Sequence, residues 1–289
     1  MKEKKRKING RKIAYWSLVS FLVLVIVVCV GAISYKLITD ARDKAEYEDI
    51  QHLKDNVPTI ATRPPIPSKP VEPADPSVGD VVPSTNPAQT APTEPTEPVM
   101  FPEYEVVYNK NKDMVGWLEI PGTVISYPVV HTPDRPNFYL RKNFYGDYAT
   151  CGTLYVRESC DVFEPSDNVT IYGHNMANGT MFADLHKYEK QEFWEENRYI
   201  HFDTLYEYHT YEIFAVFVSS ADMSIGYPYH IFDVADSAED YDAHIEKLLS
   251  LALYDTGIKP QYGEKIITLS TCDKSIDQGR LVVVARCID

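Results

Sequence analysis

The amino-acid sequence predicts a mainly β fold, a closed barrel of about eight strands with helices at its edge. One observation is a series of at least seven short runs of β-branched or aromatic residues, cut by Gly, Pro, Asp or Asn, within residues 103–289. The other is that strands and helices do not alternate regularly, as a parallel α/β sheet requires. In chain order the runs are VGWLEI, VISYPVV, GTLYVRE, NVTIYG, YEIFAVFVS, KIITLSTC and RLVVVARC.

Two helices are predicted beside these strands. The first lies near Tyr104 to Asn111, ahead of the first run. The second, longer helix begins at Ser237, because Asp240 follows at the spacing of a capping box. Its apolar residues recur at three- and four-residue intervals and form one face: Ala238, Tyr241, Ile245, Leu248, Leu249 and Ala252.

The N-terminus has the pattern of a membrane anchor. Residues 1–12 hold seven bases and one acid, and the 23 residues from Ile13 to Tyr35 carry no formal charge. A helix of that length spans roughly 34 Å, enough to cross a bilayer core. We therefore expect a cytoplasmic basic head (1–12), a transmembrane helix (13–38) and an extracellular remainder, because basic residues stay on the cytoplasmic side. The alternative is a cleaved signal peptide, whose apolar core would be shorter.

Residues 39–102 are predicted to form an extracellular stalk. Asp40 to Asp55 is charged and helical in pattern, and residues 56–102 contain 13 of the 20 prolines. Proline removes backbone donors and favours an extended chain, so these residues reach on the order of 140 Å when fully extended. The segment is interpreted as a spacer, with a binding site for a proline-reading domain as the alternative. The globular domain then covers residues 103–289.

The charge of the chain argues against a nucleic-acid partner. Lys and Arg number 28 against 42 Asp and Glu, which gives a formal net charge of −14. Affinity for nucleic acid comes mainly from clustered bases, and seven of these bases lie in the N-terminal head. The acidic residues do not show the spacing of a calcium loop, and their charge is more simply explained as a solvated surface.

Among five cysteines, Cys272 stands out by its position at the end of an apolar run. After it comes a polar turn, and Arg280 opens the next run. If the two runs pair as a hairpin, the Cys272 thiol and the Arg280 guanidinium lie at the same end of the sheet. A guanidinium there can stabilise a thiolate or an oxyanion. Cys151 and Cys160 are close enough in sequence to form a disulfide, and Cys287 is expected to pack as a small apolar residue.

His174 is the best candidate for an acid or base that works with Cys272. It follows the run NVTIY at a glycine turn, and a loop held by a strand end is a common place for catalytic residues. Taken alone, a histidine in a turn is more often a capping residue, and a cysteine at a strand end more often packs. The residues alone leave both interpretations open.

The motifs in order resemble the sortase family, class B. They are YGHNM at 172–176 followed by NGTMFADLHKY, TLSTC at 268–272, and an arginine eight residues after the cysteine. The similarity begins at GWLEIPGTVISYPVV (116–130) and covers nearly all of 103–289. It implies a sortase-type barrel with an N-terminal helix, a long helix before the catalytic strand, and no cofactor. It also implies a membrane-anchored cysteine transpeptidase, which cleaves a sorting motif in secreted proteins and joins the new C-terminus to an amine of peptidoglycan precursor.

The resemblance also implies roles for individual residues. Cys272 would be the nucleophile that forms a thioacyl enzyme, His174 the acid and base, and Arg280 the group that holds the substrate carbonyl or its oxyanion. Five further residues are candidates for substrate contacts, although each is equally compatible with a structural role: Tyr172, Ser270, Asp273, Asn137 and Leu140.

Three other functions remain in competition at this point. A pilus-polymerising sortase would use the same chemistry on a different acceptor. A papain-like peptidase places its cysteine before its histidine and at a helix start, whereas here His174 precedes Cys272, which ends a strand. The third alternative is a catalytically silent domain on a stalk, such as an adhesin or sensor, in which Cys272 only packs.

Overall fold

A computed structural model describes residues 10–59, 63 and 98–289, which fall into two units divided between Glu48 and Asp49. Helix α1 runs from Gly10 to Asp55 and contains a segment long and apolar enough to cross a membrane. Its large apolar side chains between Tyr15 and Ile38 are mostly exposed. The apolar N-terminal helix is therefore present, while its orientation and the boundary at residue 38 stay predictions.

The described part of the second unit contains eight strands that close into one barrel. Around the barrel their order is β1-β2-β3-β4-β7-β8-β6-β5, with β2–β3 and β4–β7 parallel and the other neighbours antiparallel. The predicted closed, mainly β barrel is confirmed. The strands are β1 Met114–Glu119, β2 Ser126–Val130, β3 Leu154–Val156, β4 Asn168–Tyr172, β5 Tyr199–Thr204, β6 Thr210–Ser220, β7 Ile266–Cys272 and β8 Gly279–Cys287.

Seven of these strands coincide with the seven apolar runs that the sequence predicted as strands. Strand β5 lies in none of those runs. Its sequence, YIHFDT, carries polar residues on a strand that is largely buried, including His201 and Asp203. Asp203 Oδ2 accepts hydrogen bonds from Arg63 Nη2 and from Tyr104 Oη, both at 2.5 Å. Its partners come from far along the chain, so no local pattern marks β5 as a buried strand.

Both predicted helices are present. Helix α2 spans Pro102–Tyr108, and α4 spans Ala238–Leu251 immediately before β7. Ser237 caps α4, since its hydroxyl accepts the Asp240 N–H at 3.2 Å. Helix α4 packs against β6, and its buried residues are Tyr241, Ile245 and Leu248 from the predicted apolar face together with His244. Ala238 and Leu249 are only partly buried, and Ala252 follows the end of the helix. Further helical segments are α3 Gln191–Glu196 and 3-10 turns at Phe138–Arg141, Ala183–Glu189 and Tyr229–Ile231.

Within the second unit, part of the predicted stalk lies against the barrel. Ile50 is fully buried, and Lys54 Nζ lies 4.9 Å from the centre of the Trp117 ring. Arg63 forms a salt bridge with Asp203. The remaining proline-rich residues, 60–62 and 64–97, lie outside the described residues, so the boundaries of the stalk stay a prediction.

Candidate active site

The parallel pairing of β4 with β7 brings His174 and Cys272 to the same end of the barrel. Tyr172 at the end of β4 is in register with Ser270 in β7, and the Gly173 N–H donates to Ser270 O at 3.2 Å. His174 and Cys272 each lie two residues beyond this register pair. The parallel pairing of β4 with β7 therefore brings together two segments that are about 100 residues apart in sequence.

The antiparallel pairing of β7 with β8 places Arg280 directly opposite Cys272, as the sequence predicts. Cys272 is exposed. Arg280 Nη1 donates to Gln278 O at 3.2 Å and to Gly279 O at 2.9 Å, which anchors the guanidinium to the turn between the strands. Its other nitrogens keep donors for a substrate.

A cavity of about 380 Å³ opens at this end of the barrel, and Cys272, His174 and Arg280 all line it. Four of the five candidate substrate contacts lie in its wall: Asn137, Leu140, Tyr172 and Ser270. The geometry thus brings together seven of the eight residues singled out from sequence. Their roles in substrate binding stay predictions.

Asp273 is the exception, because it is not among the lining residues. Its Oδ1 accepts hydrogen bonds from both the N–H and the hydroxyl of Ser275, inside the turn between β7 and β8. Burial opposes ionisation of the Asp273 carboxyl, but the bonds from Ser275 and the nearby His186 hold its pKa below the usual value. The Asp273 carboxylate is therefore held by hydrogen bonds within the turn between β7 and β8.

The His174 imidazole is held by a backbone carbonyl. Its Nε2 lies 2.8 Å from Leu140 O, so Nε2 carries the proton and Nδ1 is the basic nitrogen. Gly152 makes room for this contact: its φ is +61°, and a Cβ there would lie 2.7 Å from Leu140 O and 3.2 Å from His174 Cδ2.

Electrostatics keep His174 neutral. Burial lowers the pKa of His174 below its ordinary value of about 6.5, and the charges of Arg141 and Arg280 lower it further against the bond to Leu140. At neutral pH the imidazole is therefore able to accept a proton.

Tyrosines build much of the cavity wall. Tyr155 Oη donates to Asn137 Oδ1 at 3.0 Å, and the Tyr155 ring lies 5.3 Å from that of Tyr172. The hydroxyls of Tyr229 and Ser270 are hydrogen-bonded at 2.7 Å. Burial raises the pKa of Tyr155 to about 12, so its hydroxyl stays protonated. These contacts give the wall a fixed set of neutral polar groups.

The segment between β6 and α4 forms the opposite wall. Arg157 Nη1 lies 3.0 Å from Asp233 Oδ1 and also donates to His230 O. Ser159 Oγ donates to Asp233 Oδ2 at 2.5 Å. Since Arg157 and His230 line the cavity, this ion pair fixes the shape of its wall.

Three residues near Cys272 escaped the sequence reasoning. The side-chain amide of Asn175 donates to Cys272 O at 3.2 Å, and His186 Nε2 lies 2.9 Å from the same amide nitrogen. Thr271 lines the cavity, and its buried hydroxyl has no hydrogen-bond partner in the described part of the chain. All three lie within or beside the motif strings, but neither periodicity nor spacing distinguishes them from packing residues.

The cysteines other than Cys272 play no part in this cavity. Cys151 and Cys160 are both buried, and the possible disulfide between them is not formed. The Cys160 thiol points to Asn168 O at 3.5 Å and to Asp233, and burial raises its pKa to about 12.

Two groups of three side chains offer metal-ligating atoms within 4.8 Å of one another: His209, Cys287 and Asp289, and His186, Glu189 and Asp273. In the second group His186 Nδ1 and Glu189 Oε1 are 2.6 Å apart, a hydrogen-bond distance. Both oxygens of Asp289 accept the Thr210 N–H. Proximity alone does not assign an ion to either group.

The barrel carries a cysteine, a histidine and an arginine around one cavity at one end, an arrangement suited to acyl transfer through a thiol. Residues 118–288, more than half of the chain, match the sortase domain, and the chain belongs to the sortase family.

Its relatives place it in class B. Sortase B of Listeria monocytogenes is 33% identical over 182 residues, which cover 62% of this chain and 71% of the relative. Clostridium perfringens sortase B is 31% identical with a TM-score of 0.60, covering 64% of this chain and 100% of that one. A Staphylococcus aureus sortase B–substrate complex is 27% identical with a TM-score of 0.59, covering 65% and 85%.

Proposed function

We propose that this class B sortase cleaves a sorting motif near the C-terminus of secreted proteins and transfers the new carboxyl end to an amine of peptidoglycan precursor. The observation that carries the proposal is that Cys272, His174 and Arg280 line one cavity at one end of the barrel. The Staphylococcus aureus relative, which was solved as a substrate complex, supports substrate binding by enzymes of this fold.

In the first half-reaction the Cys272 sulfur attacks the carbonyl carbon of the scissile peptide bond, and the thiol proton passes to His174. The negative charge develops on the carbonyl oxygen, where the donors of Arg280 stabilise it. His174 then gives its proton to the departing amine as the C–N bond breaks. The products are a thioacyl enzyme on Cys272 and a free amine fragment.

In the second half-reaction an acceptor amine attacks the thioester carbon. His174 takes one proton from that amine and returns it to the Cys272 sulfur as the C–S bond breaks. A peptide bond is formed and the thiol is regenerated, so no external energy source is needed. The low pKa of His174 suits both steps, because each begins with a neutral imidazole.

We further propose that the enzyme works outside the cell, with the head in the cytoplasm, α1 in the membrane and the residues after it as a spacer. The apolar segment of α1 supports the anchor. An antibody against residues 1–9 should detect the head in the membrane fraction of the mature protein. Loss of the head after secretion would instead show a cleaved signal peptide.

The transpeptidase is tested with the full chain in detergent and a peptide library randomised at five positions, with and without triglycine as the amine. Mass spectrometry should show a thioacyl adduct on Cys272 and a ligated product that requires triglycine. Cys272→Ala should give neither product, whereas Cys287→Ala, at the far end of β8, should give both.

A wild-type chain that forms no adduct, and whose Cys272 also resists iodoacetamide until the protein is unfolded, would contradict the proposal. That result would favour the silent domain.

A further inference from the structure

We propose that Asn175 and His186 are positioning residues, which hold the backbone carbonyl of Cys272 and thereby fix the nucleophile relative to His174. This inference rests on the proposed function, because it assigns those two roles. Neither residue is among those that line the cavity.

The strand register explains why a side chain is needed at this point. In a parallel pair the backbone bonds repeat every two residues, so the bond after Gly173 N–H to Ser270 O would run from residue 175 to Cys272 O. The backbone of Asn175 has left the sheet by then, since it bridges to Met181. Its side-chain amide makes the missing bond instead, with Nδ2 at 3.2 Å from Cys272 O.

The proton positions follow from the partners of His186. Its Nδ1 lies 2.6 Å from Glu189 Oε1, and a carboxylate only accepts, so Nδ1 carries the proton. The Nε2 is then an acceptor for the Asn175 amide at 2.9 Å. Nε2 also lies 3.2 Å from Cys272 O, but in this tautomer both atoms are acceptors, so that contact is not a hydrogen bond and His186 reaches the carbonyl only through the Asn175 amide. The amide has two hydrogens, one for His186 Nε2 and one for Cys272 O. Glu189, His186 and Asn175 thus form one chain of donors and acceptors that ends at Cys272 O.

This chain links the two halves of the active site. Asn175 directly follows His174, and the carbonyl it holds belongs to the nucleophile itself. Loss of the bond would free both the loop that carries His174 and the end of β7. We expect the distance between the imidazole and the thiol to become less well defined, which lowers the rate of the chemical step more than substrate binding.

Two variants of Asn175, one truncated and one isosteric, distinguish this role from simpler ones. Asn175→Ala removes the donor, and Asn175→Asp keeps the shape but places a second acceptor against Cys272 O. Both should lower kcat for the peptide found with the library by about three- to tenfold, with KM changed by less than about twofold. If Asn175 only fills space, Asp should retain activity. If only the added charge matters, Asn175→Ala should retain activity, and 1 M NaCl should restore the activity of Asn175→Asp.

His186 provides the test of the chain itself. His186→Gln retains an acceptor for Asn175 and should keep most of the activity, while His186→Ala should lower kcat. The double variant Asn175→Ala, His186→Ala should be no slower than Asn175→Ala, because His186 acts through Asn175. Lys187→Ala is the matched control, since it removes a salt bridge to Asp184 from the same 3-10 turn without touching this chain.

A second readout needs no sorting motif: the rate at which iodoacetamide modifies Cys272, followed by mass spectrometry of the full chain in detergent. The Asn175 variants should react about threefold more slowly than wild type or Lys187→Ala. If Cys272 is alkylated in the folded chain and the rates follow this order, the positioning role stands, whether or not the library gives a thioacyl adduct. If wild type is a transpeptidase and both Asn175 variants match it in both readouts, the positioning role is wrong.

Discussion

At the scale of single residues, Gly152 leaves the space in which the Leu140 carbonyl meets the His174 imidazole. Its φ of +61° is in the left-handed region, and a Cβ would lie 2.7 Å from the carbonyl that binds His174 Nε2. We expect Gly152→Ala to displace Leu140 O, and to lower kcat by at least about tenfold through loss of the imidazole's orientation. The transpeptidation assay, with the melting temperature of each variant, measures this effect.

Gly146→Ala is the control, because Gly146 has a similar φ of +86° but open space where the Cβ would lie. Both variants should lose about 1–2 kcal/mol of stability from backbone strain. Only Gly152→Ala should also show a lower kcat in the transpeptidation assay. Equal activity in the two variants would show that the contact between Leu140 and His174 does not orient the imidazole.

The sequence singled out the three residues of the proposed mechanism because His174 follows an apolar run, Cys272 ends one and Arg280 begins one. It could not predict Asn175 or His186, since their contacts with Cys272 O join segments 97 and 86 residues apart and depend on where β4 leaves the sheet. Asp273, a candidate substrate contact from sequence, is not among the residues that line the cavity. The position of Asp273 next to Cys272 is evident from the sequence, but the direction of its side chain depends on the turn that follows. In that turn the Ser275 N–H donates a hydrogen bond to the Asp273 carboxylate.

At the scale of elements, seven strands were predictable because their buried faces are built from β-branched and aromatic residues. Helix α4 was predictable because a cap and a periodic face coincide. β5 was not, because its polar residues are satisfied by Arg63 and Tyr104 from elsewhere. Local sequence patterns therefore identified the elements that are stabilised by apolar burial or by a local cap. They missed β5, which depends on polar contacts with residues distant in the sequence.

The segment between β6 and α4 should govern substrate affinity. Arg157 and Asp233 are both mostly buried, so the pair is little screened by solvent. Removing the guanidinium leaves a partly buried carboxylate and loosens the wall formed by His230. We expect Arg157→Met to raise KM about three- to tenfold with a smaller change in kcat, and to increase amide hydrogen exchange in residues 221–236.

The control for this wall is Arg286→Met, which breaks salt bridges to Glu212 and Glu264 away from the cavity. It should lower stability without changing KM. If Arg157→Met left both KM and the exchange of residues 221–236 unchanged, the ion pair would have no part in shaping the cavity.

At the scale of the whole molecule, the barrel buries neutral histidines whose pKa values fall well below the ordinary value. Burial lowers the pKa of His201 and of His244 from 6.5 to about 4. In the unfolded chain both side chains take up protons below about pH 6.5, while in the folded barrel they do so only near pH 4. The unfolded state therefore binds more protons in this window, and the free energy of unfolding must fall as the pH falls through it.

The size of this effect and its origin can be measured together. Each histidine should lower the free energy of unfolding by on the order of 2–3 kcal/mol as the pH falls from 6.5 to 4. His244→Leu should therefore lose less stability than wild type over that range, although it also removes the hydrogen bond to Tyr227 and is less stable at pH 7. Urea denaturation of the full chain in detergent, followed by the fluorescence of buried Trp117 and Trp194, gives the free energy at each pH.

The matched control is His52→Leu, because His52 is exposed on the last turns of α1. It should show the same pH dependence as wild type. Equal slopes for wild type, His52→Leu and His244→Leu would mean that His244 takes up its proton over the same pH range in the folded and the unfolded protein. A slope reduced only in His244→Leu would show that protonation of the buried His244 contributes to the loss of stability in acid.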